Sequence, residues 1–319
     1  MAAVIPLREP LQTNLSLAFK EFLADLRLRG LSPHTIQWYT YSLRPFLRCA
    51  DGDPEAVDEQ TVRRFLTERS AHVRPHRVNH YLEAVDRFYR WLIAQGYAMD
   101  NPAAEIGKMR EPKKLIHSFT EAEVIALLRQ PDTRTFIGLR DYVFMLLLLD
   151  TGLRLSEALG LTMDDIDTQE QTLKVMGKGS KERRVGFSDA FLRELVPYLA
   201  RREAVLRRAR HSRSPWLFPN QIAGKMTPRG IRLQLATYGK RAGITRVRVS
   251  PHTFRHTFAL WFVRKGGSPF HLQKILGHSS LDMSRRYCEL AEIDAIIKQH
   301  DLSPLQTMDL GLRGRRRLR

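Results

Sequence analysis

The residue types needed to break and rejoin a phosphodiester are concentrated in residues 250–287, SPHTFRHTFALWFVRKGGSPFHLQKILGHSSLDMSRRY. His252 and Arg255 are spaced one helical turn apart, His278 follows a glycine, and Tyr287 follows two arginines. Phosphoryl transfer builds negative charge on the non-bridging oxygens, and without a metal that charge must meet fixed cations and hydrogen-bond donors. An arginine can engage two phosphate oxygens at once, and a tyrosine hydroxyl can form a covalent phosphodiester that keeps the energy of the broken bond. The stretch therefore predicts metal-free phosphodiester chemistry in which rejoining needs no ATP.

Segments upstream supply further cations. Arg154, in LLLLDTGLRLSEALGL, stands between an apolar helix and a short helix that the Ser-Glu-Ala sequence predicts to begin near Ser156. Farther on, LKVMGKGSKERRVGF predicts two short strands joined by a hairpin turn that carries Lys178 and Lys181. Either lysine could reach into a cleft from that turn. The glycine on each side of Lys178 favours it as the residue that enters the site.

The order and spacing of these residues resemble the catalytic set of the tyrosine recombinases, the lambda-integrase-like and Xer-type proteins. The motifs TGLRLSEALGL, GKGSKER, HTFRHTFA and LGHSSL all fit the family pattern, as does a tyrosine nine residues after the histidine of LGHSSL. Any one motif would be a weak signal, whereas the set in register is a strong one. No position departs from the pattern among Arg154, Lys178, His252, Arg255, His278 and Tyr287.

The resemblance implies a role for each member of this set. Tyr287 would be the nucleophile, and Arg154 and Arg255 would clamp the phosphate. Lys178 would be the general acid that protonates the departing 5′-oxygen. Cleavage would thus leave a 3′-phosphotyrosine and a free 5′-hydroxyl, with no cofactor.

The histidines of this region have alternative interpretations. The resemblance implies that His252 assists proton transfer at the nucleophile and that His278 donates a hydrogen bond to the scissile phosphate. His252 and His256 also have the spacing of zinc ligands, but no glutamate intervenes and Arg255 would place a cation beside the metal. We therefore predict no metal site. His256 is interpreted as a satisfied helix residue and His271 as a surface or packing residue.

Composition and charge point to a nucleic-acid partner. The 319 residues contain 52 Lys and Arg against 34 Asp and Glu, a formal net charge of +18. Such an excess favours a polyanion, and no basic amphipathic helix suggests a membrane surface. Cys49 and Cys288 are too few for a disulfide framework. The sequence predicts no signal peptide and no membrane span, so we expect a cytoplasmic, nucleoid-associated protein that binds double-stranded DNA.

Periodicity in the first hundred residues predicts a helical bundle. Apolar residues recur at helical spacing over residues 14–29, from Ser32 onward, and over 58–70 and 74–95. Four such helices can close a small domain. GLSPHTIQWYTYSLRPFL also resembles the start of the family's DNA-holding domain. The candidate phosphate contacts are Thr35, Tyr39 and Arg44 in this segment and Arg77 and Arg87 in the last helix. For all of them the alternative is a solvated helix face.

The second half predicts an α+β domain. Helices are expected after the cap Thr120, over 134–150, over 189–210 with a kink or break at Pro197, and after the cap Thr227. SPWLFPN predicts a short buried strand. Candidate DNA contacts in this half are Lys181, Arg229, Arg232, Lys240 and Arg241.

The predicted fold is mainly α with a small β-sheet: an N-terminal helical bundle that clamps DNA and an α+β tyrosine recombinase catalytic domain. The predicted segments are a leader (1–12), a SAM-like core-binding domain (13–100), a linker (101–116), the catalytic domain (117–300) and a basic tail (301–319). The linker predicts protease sensitivity near Lys113. The tail has five arginines in its last seven residues.

The predicted function is site-specific recombination through a Holliday junction, by a homotetramer on two DNA sites and with possible accessory proteins. The basic tail favours an integrase or transposon recombinase over Xer-type resolution of chromosome dimers. A type IB topoisomerase is an alternative with the same chemistry. A DNA-binding protein with an inactive site and a metal-dependent nuclease are further alternatives, the latter without a visible acidic cluster.

Overall fold

The computed structural model of the protein describes residues 13–50, 52–112, 116–177, 182–208, 214–277 and 280–298, with side chains up to residue 292. The chain divides into two compact units, Met1–Lys114 and Leu115–Arg319. No helix in the described ranges is long and apolar enough to cross a bilayer.

The helical bundle predicted for the first unit is confirmed. Its helices begin at polar caps, as at Asn14, Ser32 and Asp58, whose side chains accept backbone N–H groups of the first turn. Aromatic rings from every helix fill one core, including Phe22, Phe46 and the fully buried Phe88. The helices are α1 (Leu15–Leu28), α2 (Pro33–Leu47), α3 (Glu59–Ser70) and α4 (Pro75–Gln95).

Residues after α4 continue to pack on this unit. Ala103 and Ile106 join its core. The buried Asn79 side chain donates to the Met109 carbonyl at 2.9 Å and accepts the Met109 N–H at 2.8 Å. The first part of the predicted linker is therefore attached to α4, while Lys113 lies outside the described residues.

The second unit surrounds a small antiparallel sheet with helices, as predicted. Its strands run in the order β1, β2, β3, with Leu173 opposite Val185 on the buried face. The helices are α5 (Glu121–Leu128), α6 (Phe136–Thr151), α7 (Leu155–Gly160), α8 (Asp189–Arg208), α9 (Pro228–Arg241), α10 (Pro251–Arg264), α11 (Pro269–Leu276) and α12 (Asp282–Lys298). The strands are β1 (Ile166–Asp167), β2 (Thr172–Met176) and β3 (Glu182–Gly186).

Capping explains where the helices of this unit begin. Thr120 forms a capping box with Glu123, and Thr227 and Ser250 each accept a backbone N–H of the turn that follows. The predicted caps at Thr120 and Thr227 are thus confirmed. The apolar α6 is buried on most sides, as its sequence predicts.

The short helix expected near Ser156 is confirmed. It begins at Leu155, because Glu157 folds back onto the backbone N–H of Arg154, which serves as the cap. Of the kink or break expected at Pro197, the break does not occur, because α8 continues through this residue. The strand predicted for SPWLFPN was wrong, since the segment forms two isolated bridges, Trp216 with Thr162 and Pro219 with Lys225.

Candidate active site

Three arginines converge on the C-terminal end of α11. The carbonyl groups of three successive residues each accept one guanidinium N–H: Ile275 from Arg183 Nε at 3.1 Å, Leu276 from Arg255 Nη2 at 2.8 Å, and Gly277 from Arg154 Nη2 at 2.8 Å. The last carbonyls of a helix lack intrahelical partners and carry its negative dipole end. The end of α11 therefore gathers the cations directly before position 278 in the sequence.

A glycine is required at this meeting point. Gly277 ends α11 in the left-handed conformation, with φ of 63°. A Cβ added there would lie 3.2 Å from Arg183 Cζ and 3.4 Å from Arg154 Nη1. The absence of a side chain lets both guanidinium groups approach the helix end.

Glu157 joins two of the arginines from the opposite side. Its carboxylate, 3% exposed, accepts from Arg183 Nη1 and Nη2 at 2.9 and 3.0 Å and from Arg154 Nη1 at 2.9 Å. Burial alone would raise the pKa of Glu157, but the hydrogen bonds from Arg183 and Arg154 outweigh it and lower that pKa below its ordinary value. The site therefore contains a buried, ionised carboxylate that fixes the arginine side chains.

Arg255 is the most enclosed of the three arginines, at 7% exposed. It lies on α10 and also donates from Nη1 to the Gly152 carbonyl at 2.8 Å, at the end of α6. Burial and the nearby charge of Arg154 lower the pKa of Arg255 to about 10. Its guanidinium nevertheless remains protonated at neutral pH.

Tyr287 is buried on α12, at 1% exposed, in a small apolar cluster formed by α10, α11 and α12. Its hydroxyl lies 2.6 Å from Nδ1 of His256, one residue after Arg255. His256, interpreted from the sequence as a satisfied helix residue, thus contacts the predicted nucleophile. The His-x-x-x-His spacing drew attention to this residue, but only the packing of α12 on α10 gives its partner.

Burial and nearby positive charges lower the pKa values of the two histidines of α10. Burial, His252, Arg255 and Arg286 together lower the pKa of His256 to about 4. The pKa of His252 is also lowered, by partial burial of its ring and by Arg255 and Arg232. Burial raises the pKa of Tyr287 above its ordinary value, against the opposing charges of Arg255 and Arg286.

The structure describes some of the predicted site residues and not others. Arg154 and Arg255 donate to adjacent carbonyls, while His252 is exposed on α10 and Tyr287 is buried on α12. Lys178, Lys181 and His278 lie outside the described residues. The sequence analysis did not single out Arg183 or Glu157, and it assigned His256 no role at the site.

The candidate DNA contacts in the first unit lie on α2 and α4. Burial raises the pKa of Tyr39, and Arg87 lies near enough to oppose that shift. Thr35 pairs with the Ser32 hydroxyl at 2.8 Å, and Arg44 is exposed at a groove along α2. Arg77 lies over the Tyr81 ring, 4.8 Å from its centroid.

The candidates of α9 are all exposed: Arg229, Arg232, Lys240 and Arg241. Arg232 lies near enough to His252 to lower its pKa. Within the part of the chain that the structure describes, no group of three or more His, Cys, Asp or Glu side chains could hold a metal ion.

Sequence comparison identifies the class of protein to which this fold and site belong. The profile of the phage integrase family matches residues 117–293, and that of the phage integrase N-terminal SAM-like domain matches residues 19–98. A tyrosine recombinase XerC of Myxococcus xanthus is 36% identical over 284 residues, which cover 87% of this chain and 94% of the relative. The chain therefore belongs to the phage integrase family of tyrosine recombinases.

Solved structures share the fold. A XerH site-specific recombinase bound to a palindromic difH substrate, in a post-cleavage complex, aligns with a TM-score of 0.71 at 21% identity over 89% of this chain and 83% of that one. A lambda integrase tetramer bound to a Holliday junction aligns with a TM-score of 0.67 at 16% identity, over 84% and 78% of the two chains. At these identities the likeness concerns the fold alone.

Proposed function

We propose that this tyrosine recombinase cleaves one DNA strand at a time by attack of Tyr287, which leaves a 3′-phosphotyrosine and a free 5′-hydroxyl. The observation that carries the proposal is the convergence of Arg154 and Arg255 on adjacent carbonyls of Leu276 and Gly277. Each guanidinium has five N–H donors, and these carbonyl contacts use only part of that number. The pair can therefore receive a phosphate while the end of α11 keeps it oriented.

The proposed roles follow the charge that develops during cleavage. Arg154 and Arg255 stabilise the non-bridging oxygens, which removes the need for a metal ion. Lys178 protonates the departing 5′-oxygen. No ATP is consumed, because the phosphotyrosine keeps the energy of the broken bond. His278, the residue that follows Gly277, donates to the same phosphate. His252, which is exposed on α10, assists proton transfer at the nucleophile.

The first unit would hold the duplex with the candidate contacts of α2 and α4, and the second with those of α9. We propose that four protomers act on two duplexes through a Holliday junction, as the lambda integrase tetramer in its complex suggests. The net charge of +18 supports a sequence-independent phosphate contribution to affinity that weakens with salt. The site of action would be nucleoid DNA in the cytoplasm.

A strand-exchange assay in EDTA tests this function against a topoisomerase. Two duplexes of different length, each carrying the same end sequences, are incubated with the protein, and recombinant lengths are measured. The proposal expects recombinants in EDTA without ATP. Relaxation of a supercoiled plasmid with no recombinants would instead indicate a topoisomerase, and loss of all cleavage in EDTA would indicate a metal-dependent enzyme.

A second candidate function is resolution of chromosome dimers, favoured by the XerC name of the Myxococcus relative. It differs from element integration in substrate and not in chemistry. A plasmid with two directly repeated chromosomal sites would be resolved into two circles under this alternative. An integrase would instead join the ends of a mobile element to a target.

A further inference from the structure

We propose that His256 takes the proton from the Tyr287 hydroxyl during attack on the phosphate and returns it when the strands rejoin. The two groups already form a hydrogen bond of 2.6 Å between Nδ1 and the phenolic oxygen. Their rings are tilted by 47° with centroids 5.9 Å apart, so they meet through these polar atoms and not by stacking. The inference rests on the proposed function because it concerns the same nucleophile.

The packing of two helices fixes this contact. His256 is on α10, one residue after Arg255, so the helix that holds the phosphate clamp also positions the imidazole. Tyr287 is held on α12 by Leu260, Leu272 and other members of the shared apolar cluster. A proton acceptor within hydrogen-bond reach of its donor meets the geometric requirement for general-base catalysis.

The charges around His256 and Tyr287 keep the imidazole unprotonated before DNA binds. The groups that act on His256 are His252 and Arg255 on its own helix and Arg286 on α12, and with burial they lower its pKa to about 4. The ring is therefore neutral at physiological pH and Nδ1 can accept. A phosphate bound beside Arg255 would offset these positive charges and raise the pKa of His256, which favours transfer when substrate is present.

The proton balance closes over both steps. In cleavage, the Tyr287 oxygen forms a bond to phosphorus, the bond to the 5′-oxygen breaks, the phenolic proton moves to His256 Nδ1, and Lys178 protonates the 5′-oxygen. In rejoining, the 5′-hydroxyl attacks phosphorus, its proton returns to Lys178, and His256 protonates the departing phenolate. No oxidant, metal or nucleotide is required.

Single-turnover cleavage of a nicked duplex separates this role from structural support. His256→Asn places an amide oxygen near the position of Nδ1, which preserves a hydrogen-bond acceptor without a usable base, and His256→Phe removes both. We expect both variants to form the covalent adduct about 100-fold more slowly, with duplex affinity within about twofold of wild type. His271→Asn, an exposed histidine on α11, is the matched control and should react at the wild-type rate.

A substrate with a 5′-phosphorothiolate at the cleavage site identifies the side of the reaction on which His256 acts. Sulfur leaves without a proton, so this substrate should restore Lys178→Ala but leave the His256 variants slow. Wild-type cleavage by His256→Asn, faster cleavage by either variant, or restoration by sulfur would each overturn the inference. Adduct formation by Tyr287→Phe would overturn the proposed function as well.

Nitrogen NMR of labelled histidine tests the contact without relying on activity. In the wild-type protein, Nδ1 of His256 should resonate as a hydrogen-bonded acceptor on a neutral ring. Tyr287→Phe should shift that resonance toward a free acceptor nitrogen. An unchanged resonance would show that the hydrogen bond does not form and would overturn the inference.

Discussion

Replacing Arg183 by methionine should destabilise the catalytic unit, because it leaves Glu157 buried with fewer partners. Arg183 donates both Nη groups to that carboxylate and Nε to the Ile275 carbonyl, with its side chain 17% exposed. Removing one member of a buried ion pair costs roughly 3–5 kcal/mol. Arg154 still contacts Glu157, and methionine retains much of the packing, so we expect a loss of about 3 kcal/mol.

A loss of this size is measurable in the full-length protein. For a unit of this length it corresponds to a melting temperature lower by about 6–12 °C. Urea unfolding followed by pulsed hydrogen exchange, read on peptides from α10 and β2, would report the second unit alone. Arg184→Met is the matched control, since Arg184 is the next residue in β3 and is exposed; its effect should stay within about 0.5 kcal/mol.

The pH dependence gives a further check on the cause. Hydrogen bonds from Arg183 and Arg154 keep the pKa of Glu157 below its ordinary value of 4.5. The resulting stability is present above that pH and is lost as the pH falls through the folded-state pKa. The gap between wild type and Arg183→Met should therefore shrink in acid. Equal losses for Arg183→Met and Arg184→Met, or a gap that does not change with pH, would refute this account of the cluster.

Three other perturbations have defined outcomes. Arg154→Ala or Arg255→Ala should slow covalent adduct formation by about 10²–10³ while duplex affinity changes little; an equal loss of binding would make these residues structural. Gly277→Ala should cost about 1–2 kcal/mol in unfolding measurements, since its φ is 63° and the new Cβ would meet two guanidinium groups, and wild-type stability would contradict this. His256 binds a proton at a pH of about 4 in the folded protein against 6.5 ordinarily. Unfolded chains therefore bind more protons between these values, and stability should fall by about 1–3 kcal/mol as the pH drops through that window; His256→Asn should flatten this slope.

The sequence predicted elements wherever local signals were complete. Apolar periodicity gave α4, and the cap-and-proline pairs at Ser32 and Thr227 gave the starts of α2 and α9. The hairpin of β2 and β3 followed from two short strand-like runs on either side of a glycine-containing turn. These features depend on residues close together in the chain, so a linear reading can find them.

Features that depend on tertiary contacts were missed. Trp216 and Ser214 direct their carbonyls to Arg202 at 2.6–3.0 Å, so SPWLFPN does not extend as a strand. No local signal distinguished Arg183 from the other charged residues of the hairpin, because its partners Glu157 and Ile275 lie far away in sequence. His256 needed the packing of α12 to reveal its partner. Residues that position the site were therefore harder to predict than residues whose order resembles a known family.

Mapping the covalent attachment shows which side chain attacks the phosphate. The protein is trapped on a nicked duplex in EDTA, digested with nuclease and protease, and the nucleotide-bearing peptide is sequenced by mass spectrometry. We expect a 3′-phosphoryl nucleotide on Tyr287 and no adduct with Tyr287→Phe. Attachment to another residue, or an adduct that persists in Tyr287→Phe, would contradict the assignment of Tyr287 as the nucleophile.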